Sequence, residues 1–143
     1  IDHLKNWMEP QAADTNLANL PASSYIQPHA YGVCLIMGAW NYPVLLTLNP
    51  LVSALAAGNT CIIKPSELTP KTTQLIDQLI SNAFPAQEVK VIQGGVAETT
   101  HLLTHKFDKI FFKGSTQVGK IVYQAAAKHL TPVTLELGGN ALR

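Results

Sequence analysis

The chain has 143 residues, 47% of them hydrophobic and 13% charged, with ten basic side chains against nine acidic ones and a formal charge of +1. That length suits one compact domain or a piece of a larger protein, and the balanced charge, with no basic block, argues against nucleic acid or an anionic membrane as a partner. So much apolar content with so little charge points to apolar faces that further chain or partner subunits complete.

The first thirty residues differ from the rest. Ile1-Asp2-His3-Leu4 is neither an initiator Met nor a signal sequence, and a processed or truncated start is expected. Leu4 to Met8 reads as the end of a helix, and Ser24-Tyr25-Ile26-Gln27 as a strand leaving the domain toward a partner subunit. The most apolar stretch, Val33 to Ile63, is broken by Asn41, Pro43, Asn49, Pro50 and Asn59. A membrane span needs about 20 uninterrupted apolar residues, so this stretch reads as core.

Five short apolar runs then follow in order: Val33–Met37, Thr60–Lys64, Val89–Ile92, Lys109–Phe112 and Val133–Glu136. Their continuous hydrophobicity marks strands covered on both faces, as in parallel sheets. Between them lie helical segments. Leu45 to Ala57 closes on Gly58, with Pro50 implying a kink or a late start. Thr69 and Pro70 supply an N-cap and a first-turn proline, with Leu75, Ile76, Leu79 and Ile80 as one apolar face. After Ser115-Thr116, the residues Val118, Ile121, Val122, Ala125 and Ala126 form another, with Lys128 and His129 suited to the negative helix end. The alternation predicts an α/β fold, a doubly wound parallel sheet with its functional loops at the carboxyl ends of the strands.

Four of those loops carry residues suited to a ligand. Gly38-Ala39-Trp40-Asn41-Tyr42-Pro43 offers an amide that can donate to an oxyanion or can cap the next helix. Lys64-Pro65-Ser66-Glu67 offers a cation and a carboxylate to ribose or phosphate oxygens, or a solvated strand end. Gln93-Gly94-Gly95-Val96 permits close backbone approach or a plain tight turn. Gly114-Ser115-Thr116-Gln117-Val118-Gly119-Lys120 joins a strand to a helix N-terminus, an anion site or an N-cap with Gly119 packing tightly. It is neither the dinucleotide fingerprint nor a Walker A loop, because Ile121 follows Lys120.

Other constellations stay structural. Cys34 and Cys61 sit in apolar runs, without metal-ligand companions or a neighbouring base, and read as reduced core residues in a cytoplasmic protein. His101 and His105 are spaced for one helix face, yet Leu102 breaks the metal-binding pattern, so no metal is expected.

Taken together and in this order, the loops at 38–43, 64–67, 94–95 and 112–119 and Leu135-Glu136-Leu137-Gly138-Gly139 resemble the NAD(P)-dependent aldehyde dehydrogenase superfamily. The wording of 39–43 and 130–139 is most similar to its class 3, fatty-aldehyde-type branch, and the likeness runs from about Leu4 to Gly139. The resemblance implies that Asn41 serves the oxyanion and Glu136 is the general base. It implies coenzyme contacts at Trp40, Lys64, Glu67, Gly94, Gly114, Ser115, Val118, Leu137 and Gly138. NAD or NADP is then the cofactor, and the family's reaction runs through a cysteine thiohemiacetal, hydride transfer and thioester hydrolysis to a carboxylic acid.

Two positions depart from the pattern: Lys113 stands where threonine is common, and Asn140 where lysine is. The nucleophilic cysteine belongs beyond Gly139. The expected organisation is therefore a helix end and oligomerisation-type strand at 1–30, a partial, Rossmann-like NAD(P)-binding domain at 31–139 and a divergent tail at 140–143, with the catalytic cysteine domain absent. Such a chain is inactive alone; its aldehyde substrate and its homodimer belong to the full-length enzyme. The alternative is a non-catalytic nucleotide-binding or dimerisation module of the same origin.

Overall fold

The computed structural model describes residues 3–138, so the expectations placed on Gly139 and the tail 140–143 lie outside the described residues. Five parallel strands make the sheet: β3 (Val33–Met37), β4 (Thr60–Lys64), β5 (Val89–Val91), β6 (Lys109–Gly114) and β7 (Val133–Leu137). Their spatial order is β5-β4-β3-β6-β7. The chain thus winds outward from β3 through β4 and β5, then returns to the other edge of β3 and winds through β6 and β7. This strand order is that of the doubly wound dinucleotide-binding fold, and its switch point lies between β3 and β6.

Continuous apolar runs make these strands because each residue faces one of two cores. Cys34 and Ile36 join Cys61, Ile63, Val89 and Val91 beneath α2 (Pro43–Ala56) and α3 (Pro70–Ala83). Leu35 and Met37 join Ile110 and Phe112 on the opposite face, with Leu102 of α4 (Val96–Leu102) and Val122 of α5 (Thr116–Ala127). Leu35, Ile36, Ile63, Ile76 and Val122 are within 1% of complete burial. At about 25 cal/mol per Å² of apolar area, such side chains each stabilise the fold by roughly 1.5–3 kcal/mol.

The helices differ from expectation in instructive ways. α2 begins at Pro43, not Leu45; a proline at the first helical position loses no intrahelical bond, and Pro50 lies inside the helix. Asn41 does not cap α2, whose N-cap is Tyr42 with no side-chain bond. Thr69 is the N-cap of α3 without capping it; its Oγ1 donates to the Ser66 carbonyl, 3.3 Å away. In α3 the buried stripe is Thr73, Ile76 and Ile80, whereas Leu75 and Leu79 are exposed. In α5 it is Gly119, Val122 and Ala126, while Val118 and Ile121 are exposed. A helix resting on a single sheet buries only a narrow stripe, so flanking apolar residues remain outside it.

Ahead of the sheet, a five-residue helix (α1, Leu4–Met8) precedes an antiparallel pair, β1 (Gln11–Ala13) with β2 (Ser24–Ile26). The expected strand at 24–27 is therefore present, and its partner β1 was unreadable because its pattern is neither apolar nor alternating. Among the described residues no helix is long and apolar enough to cross a membrane.

Gly38 decides how closely α2 can approach β3. A Cβ there would collide with Thr47 Oγ1 and lie 3.3 Å from Thr47 Cβ, and Thr47 itself is fully buried. Gly38→Ala should lower stability by about 1–3 kcal/mol, the usual cost of overpacking. The test is urea unfolding: a lower midpoint at unchanged slope is expected, partly recovered by adding Thr47→Ala. An unchanged midpoint would contradict this packing.

Candidate functional site

The carboxyl ends of β3, β4 and β6 and the first turn of α4 enclose a cleft of about 560 Å³. Its position follows from topology, since loops that leave β3 and β6 toward opposite faces cannot cover the ground between them. Of the residues singled out from sequence, Trp40, Asn41, Lys64, Glu67, Gly114 and Ser115 line this cleft, as do Val118 and Gly138. Glu136, Leu137 and Gly94 do not.

The β3 loop is tied at its base, where the Gly38 N–H donates to the Lys64 carbonyl at 3.1 Å. Beyond that anchor Trp40 is 60% exposed. Asn41 is also exposed, and among the described residues its amide makes no hydrogen bond. With the capping alternative removed, the amide is free to serve a ligand.

Lys64 ends β4 and is only 3% exposed. Its Nζ donates to the Pro65 carbonyl at 2.8 Å and lies 4.0 Å from Glu67 Oε2. Burial holds this amine below the usual lysine range, while the Glu67 and Glu98 carboxylates pull it back up. A buried ammonium with one close acceptor keeps two N–H donors for oxygens entering the cleft.

The glycine pair divides its work. Gly94 has φ +126°, a conformation that favours glycine, and a Cβ there would collide with the Glu98 side chain. Its role here is the turn, and Gly95 is the one on the cleft wall. The Gly95 N–H donates to Glu98 Oε2 at 2.7 Å. Backbone N–H donors, from Glu98 itself and from Gly95, hold the Glu98 carboxyl below its usual range, with Lys64 adding to the effect.

Val96, Thr99, Thr100 and Leu103 then complete the wall. Thr99 and Thr100 donate their hydroxyls back to the Gly95 and Val96 carbonyls, each at 2.8 Å, so this wall makes few polar demands. Sequence reading missed this face and Glu98. The signals were present in the Gly95-to-Glu98 spacing of a helix N-terminus and the i, i+3, i+4, i+7 set starting at Val96.

At α5, Ser115 is the N-cap, and the Val118 N–H donates to its Oγ at 3.3 Å. That leaves the first-turn N–H groups of Thr116 and Gln117 without intrahelical partners. Gly119 is there for packing: a Cβ would come 2.7 Å from Leu137 Cδ2. Leu137 itself packs into the core beside Phe112.

Glu136 sits on the other side of β6, in a groove lined by Phe111, Thr134, Lys113 and residues of α2. Its carboxylate Oε2 is 3.6 Å from Lys113 Nζ. Cys34 and Cys61 pair in register on β3 and β4 and are both buried. Hydrogen bonding to Cys34, then burial, pushes the Cys61 thiol far above its ordinary range. His101 lies in the last turn of α4 while His105 lies beyond it, their Nε2 atoms 3.4 Å apart. Among the described residues no group of three or more His, Cys, Asp or Glu could hold a metal ion.

Comparison with known proteins identifies the family. The model of the aldehyde dehydrogenase family matches residues 3–142. Aldehyde dehydrogenase family 3 member H1 of Arabidopsis thaliana is 47% identical over 141 residues, 99% of this chain and 29% of that protein. A substrate-bound Staphylococcus aureus AldH superposes with TM-score 0.95 at 51% identity, covering 97% of this chain and 30% of the other. A Mycobacterium tuberculosis aldehyde dehydrogenase complexed with NAD+ does so with TM-score 0.81 at 31% identity, covering 92% and 27%. The chain thus spans less than a third of the length of these relatives.

The buried amine gives a signed pH dependence. Because burial lowers its folded value, Lys64 costs stability wherever the folded chain must keep a desolvated ammonium. That cost is fully present below the lowered value and fades as the pH rises through it toward 10.5, the ordinary one. Lys64→Met should therefore raise Tm at pH 7, with the gain shrinking toward pH 10.5 in thermal melts. A less stable variant at pH 7, or a gain indifferent to pH, would contradict this assignment.

Proposed function

The chain belongs to the aldehyde dehydrogenase family, and from that premise we propose that it forms the dinucleotide-binding part of an enzyme oxidising aldehydes to carboxylic acids. One observation carries the reading: loops from three strand ends and the first turn of α4 converge on a single cleft beside the switch point of the sheet. The NAD+ complex of the 31%-identical relative supports the choice of ligand.

The residues present fit a dinucleotide. Lys64, with N–H donors to spare, and the neighbouring Glu67 suit the two roles that ribose hydroxyls require, as acceptors and as donors. The open first turn of α5 suits the pyrophosphate, since free N–H groups and the helix dipole both favour an anion. The apolar wall from Val96 to Leu103 suits a planar base. Trp40, Val118 and Gly138 complete the coenzyme contacts, with Leu137 supporting Gly138 from the core and Gly94 setting the turn that presents Gly95.

The coenzyme, when bound, supplies the hydride acceptor. The chain's own residues do the rest: the Asn41 amide donates to the oxygen on which negative charge develops, and Glu136 takes up a proton at its carboxylate. Both cysteines of the chain lie in the core and cannot serve as nucleophile. By itself this chain therefore holds coenzyme without turning substrate over. The β1–β2 pair, with Tyr25 and Ile26 exposed, is assigned to a partner subunit in the full-length homodimer, in a cytoplasmic setting.

Glu67 sets coenzyme preference, because its carboxylate repels a 2′-phosphate. Calorimetric titration of the folded chain should show NAD+ binding more tightly than NADP+. Glu67→Gln should narrow the gap by roughly five-fold, the worth of about 1 kcal/mol of relieved repulsion. Absence of binding to either coenzyme at millimolar concentration would overturn the reading. In the same samples an aldehyde with NAD+ should yield no NADH above the blank; production that Glu136→Gln abolishes would overturn the inactivity of the chain.

A further inference from the structure

Lys113 belongs to two sites at once. Near the carboxyl end of β6, it is the register partner of Glu136 on β7, and their charged atoms lie 3.6 Å apart in the groove beside α2. Lys113 also forms part of the wall of the coenzyme cleft, next to Gly114 and Ser115, whereas Glu136 does not. The remaining charged residue of the groove is Lys109, whose ammonium lies 5.7 Å from the centre of the Tyr31 ring. Residues of α2 bring no charge to it, so Glu136 is the one carboxylate in that groove among the described residues.

The pair is loosely held. Lys113 is 26% exposed and Glu136 54%, and ion pairs this open to water are weak and screened by salt. A compact ammonium on a flexible four-carbon stem can therefore change partner at little cost. A pyrophosphate at the first turn of α5 would be a second anion at the same strand end, where Lys113 adjoins Gly114 and Ser115 on the cleft wall.

Resting on the coenzyme reading above, we propose that Lys113 couples the proposed base to the coenzyme, its ammonium shared between the Glu136 carboxylate in the groove and the phosphates of a dinucleotide in the cleft. While the cleft lacks coenzyme, the carboxylate holds the ammonium. A bound dinucleotide draws it away and leaves Glu136 with both oxygens open to accept a proton. Coupling between two sites is reciprocal, so neutralising Glu136 must strengthen dinucleotide binding through Lys113. Lys113 acts as a positioning residue, and nothing covalent changes.

The test is calorimetric titration of NAD+, and separately of adenosine, into the whole chain as wild type, Glu136→Gln, Lys113→Met and the double variant. Glu136→Gln should bind NAD+ roughly two- to five-fold more tightly, the span open to an exposed charge pair. Lys113→Met should bind more weakly than wild type, and the double variant should match Lys113→Met. Adenosine, which has no phosphate, should bind all four alike, and about 1 M salt should erase the gain. Lys113→Gln replaces Lys113→Met if circular dichroism shows the latter unfolded, and Lys113→Arg combined with Glu136→Gln should keep the gain. No gain in Glu136→Gln, or a gain that survives loss of Lys113 or extends to adenosine, overturns the coupling while leaving the coenzyme reading intact. Failure of every protein to bind NAD+ overturns both.

Discussion

β3 is hydrogen-bonded along both edges, to β4 over Val33–Met37 and to β6 over Cys34–Met37, and the candidate site depends on that double pairing. A strand held in parallel on both sides cannot be reached by a hairpin; each neighbour must be approached through a crossover. Here the crossovers diverge, α2 and α3 lying over one core and α4 and α5 over the other. The carboxyl end of β3 is thus left between two loops that travel apart. What lies in that crevice is determined by topology before any side chain is chosen.

The side chains then keep the crevice both open and polar in the right places. Two glycines act where backbone must come close: Gly38 lets α2 settle on β3 against Thr47, and Gly119 lets α5 settle on Leu137. Each brings a helix near enough that its N-terminal loop reaches the strand ends. Lys64 keeps a desolvated ammonium in the cleft wall, held by one carbonyl, with the Glu67 and Glu98 carboxylates offsetting part of the burial. Groups kept at such a cost are commonly functional ones. The Lys113–Glu136 pair adds a cation whose residue lines both the cleft and the groove beside α2.

Much of this was legible in the residues. Unbroken apolar runs such as Cys34-Leu35-Ile36-Met37 announce a strand buried on both faces, and all five runs form strands. The resemblance named the family that the comparisons bear out, and eight of the eleven residues it singled out share one cleft. Sequence spacing could not show that Glu136 opens onto a different groove. Adjacent strand residues point to opposite faces, so Leu137 enters the core while Glu136 leaves it, and only the register of β6 with β7 places Lys113 opposite. Nor could it show that Gly95 rather than Gly94 meets the cleft. That depends on a positive φ at Gly94 and on the bond from the Gly95 N–H to the Glu98 carboxylate that closes the turn. The helix faces were read too widely for a similar reason: Val118 and Ile121 look like core by period, yet the cleft takes them.

The proposed site stands or falls on whether the loops at the carboxyl ends of β3, β4 and β6, with the first turn of α4, bind one dinucleotide together. Amide chemical-shift mapping of the isotopically labelled chain, titrated with NAD+, tests it most directly. The shifts should concentrate at Gly38–Asn41, Lys64–Glu67, Gly95–Thr100 and Gly114–Val118, all saturating with one dissociation constant. Shifts confined to the β1–β2 pair, scattered over the surface, or absent at saturating coenzyme would contradict it.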